Sequence, residues 1–152
     1  YDQYKGVSPF AQGDGPNWAP GMPPVTMFSV YGSGHVGIFG SIIRTTNVEK
    51  ILQINCNATD FYQKTKAYPT YLYYNPYQES KSIEFDCGAA SADIYDSVNR
   101  TFIAKNQKGK IMVELPASGS RILIIVPSGA HWEQDKHQLL ANGIPVDYRY
   151  GK

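Results

Sequence analysis

The chain has no excess of either charge. Its 14 basic and 13 acidic residues leave a formal net charge of +1 over 152 residues, and charged residues make up only 18%. With no basic stripe and no run of like charge, nucleic acid is not expected as a partner, because phosphate binding needs clustered Lys or Arg. Binding to an anionic membrane surface is disfavoured for the same reason. Long hydrophobic runs are also missing. The longest aliphatic run is Ile122–Val126, far short of the ~20 residues that a spanning helix needs, so no membrane insertion is expected.

Cysteine is nearly absent. Cys56 and Cys87 are the only two, and neither lies in a C-x-x-C pattern, so zinc-ribbon and thioredoxin-type readings fail. Buried free thiols are the first expectation and a disulfide the alternative. No H-x-H or H-x-x-x-H spacing occurs; His131 and His137 bracket Glu133 and Asp135 in HWEQDKH, which is read as a solvated loop, not a metal site. No metal and no cofactor are expected. There is no G-x-S-x-G elbow and no Cys–His arrangement at a credible spacing. Gly32, Gly34 and Gly37 have the spacing of a dinucleotide loop, but no parallel strand of a βαβ unit precedes them. The chain starts at Tyr1 without Met or an apolar leader, as expected of a mature product or a piece of a longer chain.

What is abundant is tyrosine, with 12 residues, alongside 14 Gly and 10 Pro. Few charges with many Tyr, Gly and Pro point to short strands and turns. The length suffices for one domain, or one domain with an appendage, and for burial of roughly two thirds of the unfolded surface. Residues 1–30 hold much of the Gly and Pro but no hydrophobic period, so this stretch is expected to lie on a partner surface or to be disordered. Val36, Phe39, Ile42 and Ile43 recur at helical spacing, against the helix-weakening Gly32, Gly34, Gly37 and Gly40. Thr46-Asn-Val-Glu49 has the form of a capping box opening a short helix over Val48–Leu52.

From residue 67 the pattern becomes that of strands. AYPTYLYYN reads as a strand ended by Asn75-Pro76. KSIEFDC alternates, with Ile83, Phe85 and Cys87 inward. DIYDSV and RTFIAK flank a turn at Val98–Arg100. KIMVELP places Ile111, Val113 and Leu115 on one face. SRILIIVP is apolar on both faces and reads as a central strand covered on both sides. QLLANGIPVDYRY carries an Asn-Gly hairpin signal. Together these predict a mainly β fold: an antiparallel β-sandwich over 67–152, with an N-terminal Gly/Pro-rich segment and one or two short helices over 1–66.

Read whole, residues 67–148 resemble the C-terminal β-sandwich that follows the catalytic domain of many bacterial polysaccharide-degrading enzymes. The matching pieces are Tyr74–Pro76, the alternating strand Ile83–Cys87, Asp93-Ile-Tyr-Asp96, a Lys105-Asn106 turn with Gly109, Leu115-Pro-Ala117, the strand Arg121–Pro127 and the closing Asn142–Tyr148. Residues 13–66 look similar to the Gly-rich last helix and linker of an α/α-barrel-type catalytic domain. The resemblance implies a secreted, periplasmic or cell-surface location. It also implies a polysaccharide or oligosaccharide partner and an upstream catalytic domain or chain, with no chemistry in the sandwich alone. A stand-alone carbohydrate-binding module and a cell-surface adhesion or structural sandwich are the alternatives.

The candidate site residues follow from sugar chemistry, in which a carboxylic acid stands beside a ring that stacks on the substrate. Asp14, Trp18 and His35 form one such constellation, with Asp14 the weak catalytic candidate. Tyr71 and Tyr73 share a strand face and could line an outer surface, although packing beneath the upstream segment is the stronger reading; Tyr74, with Leu72, is expected in the core. Trp132 could stack on sugar or pack over a sheet edge. Asp93 and Asp96, three apart, would point to opposite faces of a strand and are read as turn and strand-end residues. Asn57-Ala-Thr59 and Asn99-Arg-Thr101 fit the glycosylation acceptor pattern.

Overall fold

The computed structural model describes residues 39–58 and 67–151. The chain divides into two units, Tyr1–Ile42 and Ile43–Lys152. Of the first, residues 39–42 are described and are helical; the rest of the N-terminal expectation, including Asp14, Trp18 and His35, lies outside the described residues. Among the described residues no helix is long and apolar enough to cross a membrane.

The second unit is built from antiparallel strands: β1 Ile43–Thr45, β2 Leu52–Asn55, β3 Thr70–Tyr74, β4 Lys81–Asp86, β5 Ala92–Asp96, β6 Thr101–Gln107, β7 Lys110–Leu115, β8 Ser120–Pro127, β9 Trp132–Asp135, β10 Gln138–Ala141 and β11 Ile144–Asp147. Six of them form a sheet in the order β1-β2-β3-β8-β5-β6, β4 pairs with β7, and β11-β10-β9 form a third sheet. The fold is mainly β and sandwich-like. Its sheet begins at Ile43, upstream of residue 67, because β2 pairs with β3 through Gln53↔Tyr73 and Ile54↔Leu72.

Strand β8 explains the layering. Leu123 joins a core cluster with Tyr73, Ile83, Phe85, Ile94, Val113 and Leu115. Ile124 and Val126 join a second cluster with Tyr95, Leu139, Ala141 and Val146. Successive side chains point to opposite faces, so the six-stranded sheet is covered by β4–β7 on one face and by β9–β11 on the other. An apolar run without alternation is what such a doubly covered strand requires. By contrast β4, with only one face covered, buries Ile83 and Phe85 and exposes Ser82, Glu84 and Asp86.

Several local expectations are corrected. Ile43 starts a strand, not a helical turn, and Thr46–Glu49 opens no helix. The Thr46 hydroxyl accepts from Val48 N at 3.1 Å and donates to Ile51 O at 2.8 Å. Lys50 takes φ +64°, and the chain returns as β2. A Ser/Thr hydroxyl that bonds the backbone two residues on makes a turn as readily as a helix cap, and pairing with β3 decides for the hairpin. Lys105 and Asn106 lie within β6, not in a turn. There the register slips between Ala92↔Gln107 and Ile94↔Ala104, and Asn106, at φ +54°, donates its N–H to Asp93 Oδ1 at 2.9 Å: a β-bulge closed by a side chain. HWEQDKH is mostly strand β9, paired with β10 from Trp132↔Ala141 to Asp135↔Gln138. The Asn142-Gly143 hairpin is present, with φ of +49° and +75°, as a two-residue turn of this type demands. Cys56 and Cys87 are free thiols; Cys87 is buried, whereas Cys56 is exposed.

Candidate functional site

Except for Tyr74, the central sheet's aromatic residues serve packing. Tyr73 is 0% exposed, its ring meets Phe85 edge-on at 6.1 Å, and its hydroxyl accepts a hydrogen bond from Gln53 Nε2 at 2.5 Å. Burial pushes its pKa up to about 12, so it stays a neutral phenol. A ring closed off from solvent cannot stack on a sugar, so Tyr73 is a core residue and not a carbohydrate contact. Tyr71 is half-buried on the same face, also edge-on to Phe85 at 6.1 Å. Tyr74, expected in the core, is 54% exposed, for it ends β3 and is outside both core clusters. Trp132 is half-buried and packs on Phe102 at 5.0 Å and on Tyr95 at 6.1 Å. It packs against the second core, partly buried.

The buried carboxylates are likewise structural. Asp96 is fully buried and holds Arg121 Nη1 at 2.5 Å, Asn99 Nδ2 at 2.7 Å and Val98 N at 3.0 Å. Asp93 accepts from Asn106 N and from Ser128 Oγ at 3.1 Å. The amides of both acceptor-pattern asparagines are hydrogen-bonded: that of Asn99, an exposed residue, to Asp96 Oδ2, and that of Asn57 to Tyr68 O at 3.1 Å. Among the described residues no cluster of His, Cys, Asp or Glu is placed to hold a metal ion.

One exposed aromatic stands apart from the packing. Tyr148 follows directly on β11 and is 65% exposed. Asp147 fixes the corner that presents it. Its Oδ2 accepts from the Tyr95 hydroxyl at 3.1 Å, and its Oδ1 accepts from Arg149 N at 2.8 Å. Burial, and then the charge of Asp147, push the Tyr95 pKa well above the usual tyrosine value, so Tyr95 remains the donor. Tyr148 thus leaves the fold at a braced point.

Hollows surround this ring. One of about 430 Å³ is lined by Tyr148 with Ser97, Arg100, Ile122, Val146 and Arg149. A second, of about 310 Å³, lies among Tyr148, Asp135, Lys136, His137 and Gln138. A third, of about 300 Å³, is reached over Ile122, Ile124 and Val146. An exposed ring with apolar floor on one side and fork-shaped or amide donors around it can stack on a sugar face and bond its hydroxyls. Sequence reasoning missed Tyr148, although it stands in the closing PVDYRY; the signal was its place one residue past the last strand, where no partner strand can cover it.

Compared with protein-family models, curated proteins and solved structures, the chain matches none.

Proposed function

We propose that this chain is the C-terminal part of a carbohydrate-active enzyme, in which the sandwich packs on and stabilises a glycan-degrading catalytic domain and contributes a glycan contact at Tyr148. The reading places the protein outside the cytoplasm: secreted, periplasmic or on the cell surface. The observation that carries it is the exposed, braced Tyr148 ring among three hollows, in a chain whose residues 67–148 resemble the accessory sandwich of such enzymes. The structural employment of Asp93, Asp96 and Asp147 supports a module that performs no chemistry by itself. The same ring favours a second reading, a stand-alone carbohydrate-binding module.

Affinity electrophoresis tests the glycan contact. The chain should be retarded in gels containing at least one plant, algal or bacterial polysaccharide, and Tyr148→Ala should migrate as in a polysaccharide-free gel. Unchanged mobility of the parent chain in every gel would overturn the glycan reading. The upstream gene sequence separates the two forms of it: an open reading frame encoding a catalytic domain before Tyr1 supports the enzyme part, and a gene that starts at this chain supports the stand-alone module.

A further inference from the structure

We infer that one face of the six-stranded sheet, over β1, β2 and β3, seats an upstream protein domain of the same polypeptide. In the function proposed above that domain is the catalytic one, and the inference rests on that reading for the domain's identity. The strand registers carry it. Ile43 is opposite Ile54, Ile54 opposite Leu72, and Leu72 opposite Ile122. Directly opposed residues of antiparallel strands share a face, so four aliphatic side chains form one row across β1, β2, β3 and β8. Along the strands on the same face, Thr45 is opposite Leu52 and Tyr74 opposite Ser120. Alternation sets this face against the one on which Tyr71 and Tyr73 turn to the first core. The three-stranded sheet reaches it only from β8 onward: its core cluster takes Ile122, Ile124 and Val126 but no residue of β1, β2 or β3. Ile43, Ile54 and Leu72 are half-buried, and Leu52 and Tyr74 are 39% and 54% exposed. None of these five belongs to either core cluster of the described residues.

A sheet face that this protein turns to water looks different. The outer face of β4 and β7 carries Glu84, Asp86, Lys110 and Glu114 around Met112, with Lys110 paired to Glu84 at 2.7 Å. On the β1–β3 face no strand residue is charged, because Arg44 and Arg121 alternate to the other side. Exposed aliphatic and aromatic groups without charge are the composition of an interface centre, not of a solvated sheet. The course of the chain selects the occupant. β1 is the outermost strand of this face and also the strand by which the chain enters the second unit, at Ile43. Everything upstream is therefore joined to the unit at the edge of the apolar row, and such a tether gives an upstream domain a local concentration that a free partner lacks.

Cys56 reports on this face. It is exposed and lines a hollow with Thr70, Ile122 and Ile124, further residues of the same side, whereas Cys87, the other free thiol, is buried. Labelling with an aromatic disulfide reagent, in the whole gene product and in this chain alone, tests the inference. Cys56 should react about tenfold or more slowly in the whole protein, where it is reached only when the interface opens. Leu52→Lys/Tyr74→Lys, at two exposed positions, should restore the fast rate in the whole protein and leave the melting temperature of this chain unchanged. Equal rates in the two proteins overturn the inference but leave the enzyme reading standing. Protection that survives the double substitution puts the domain on another surface and overturns it too. Slow labelling in this chain alone, with sedimentation showing a dimer that the substitutions dissociate, gives the face to a second copy instead. A gene with no domain upstream of this chain overturns both the inference and the enzyme reading.

Discussion

Removing the Asp96 carboxylate should be the most damaging single-atom-scale change in the second unit. Asp96 ends β5, is 0% exposed, and pairs with Arg121 on β8, whose side chain is only 18% exposed. Its two oxygens also satisfy Val98 N, Asn99 Nδ2 and, at 3.4 Å, Ile122 N. Arg121 in turn donates through Nε to Glu114 O at 2.7 Å, so the pair ties the β5–β6 turn to the β7–β8 connection. Asp96→Ala leaves a largely buried guanidinium without its counter-charge and several donors without acceptors. Breaking a buried pair in this way costs about 3–5 kcal/mol, a large share of the ~5–15 kcal/mol that stabilises an ordinary domain. At about 4 °C per kcal/mol for a unit of this size, melting should fall by about 12–20 °C. Asp96→Asn should cost nearly as much: one oxygen can still serve Val98 N, but the new amide N–H₂ would face the donors of Arg121 and Asn99. In Asp96→Ala/Arg121→Met both charges are gone, and urea unfolding should recover about 1–3 kcal/mol relative to Asp96→Ala alone. If Asp96→Asn unfolds within about 1 kcal/mol of the parent, the ion pair does not hold this corner and the reasoning is wrong.

Three further outcomes are expected. Tyr73 has its pKa raised in the folded chain to about 12; its contribution is complete below the unfolded value near ~10 and is lost as pH rises through the folded value, a loss of about 2–3 kcal/mol. Tyr73→Phe should therefore cost about 1 kcal/mol at neutral pH, through loss of the Gln53 hydrogen bond, yet flatten the fall of urea-measured stability between about pH 10 and 12; an equally steep fall in the variant would refute it. Gly143→Ala meets nothing within 4 Å but sits at φ +75°, so its cost is purely conformational, about 1–2 kcal/mol of stability measured by urea unfolding. Trp132→Ala removes the edge-on partner of Phe102 and should destabilise by about 2–4 kcal/mol with glycan retention intact at a temperature where the variant remains folded; selective loss of retention would return Trp132 to the binding surface.

The strands were legible where burial is one-sided or complete. The clean alternation of β4 and the unbroken apolar run of β8 each have one sheet context that fits them, and the Asn142-Gly143 turn has one backbone conformation that suits it. The Thr46 turn was not legible, because a hydroxyl bonded to the N–H two residues ahead opens a helix or a hairpin equally well, and only the distant pairing of β2 with β3 separates the two. The Lys105–Asn106 bulge was hidden similarly: a polar pair reads as a turn, whereas its conformation is set by the Asp93 carboxylate 13 residues away along the chain.

The site was harder to read than the fold because alternation tells which side chains share a face but not whether that face is covered. Tyr71 and Tyr73 do share one, and it is the face closed by Phe85. Tyr95, Phe102 and Trp132 are taken up by the second core. A sheet covered on both sides leaves its own aromatic residues no route to a ligand except at strand ends, where Tyr74 stands, 54% exposed; Tyr148 stands just past β11 of the covering sheet, 65% exposed. Of the two, Tyr148 alone has its neighbouring backbone held by a buried carboxylate and a hollow lined by arginines beside it. In a fold of this kind, a search for a binding aromatic should therefore begin one residue beyond the last strand and not at the densest run of tyrosine.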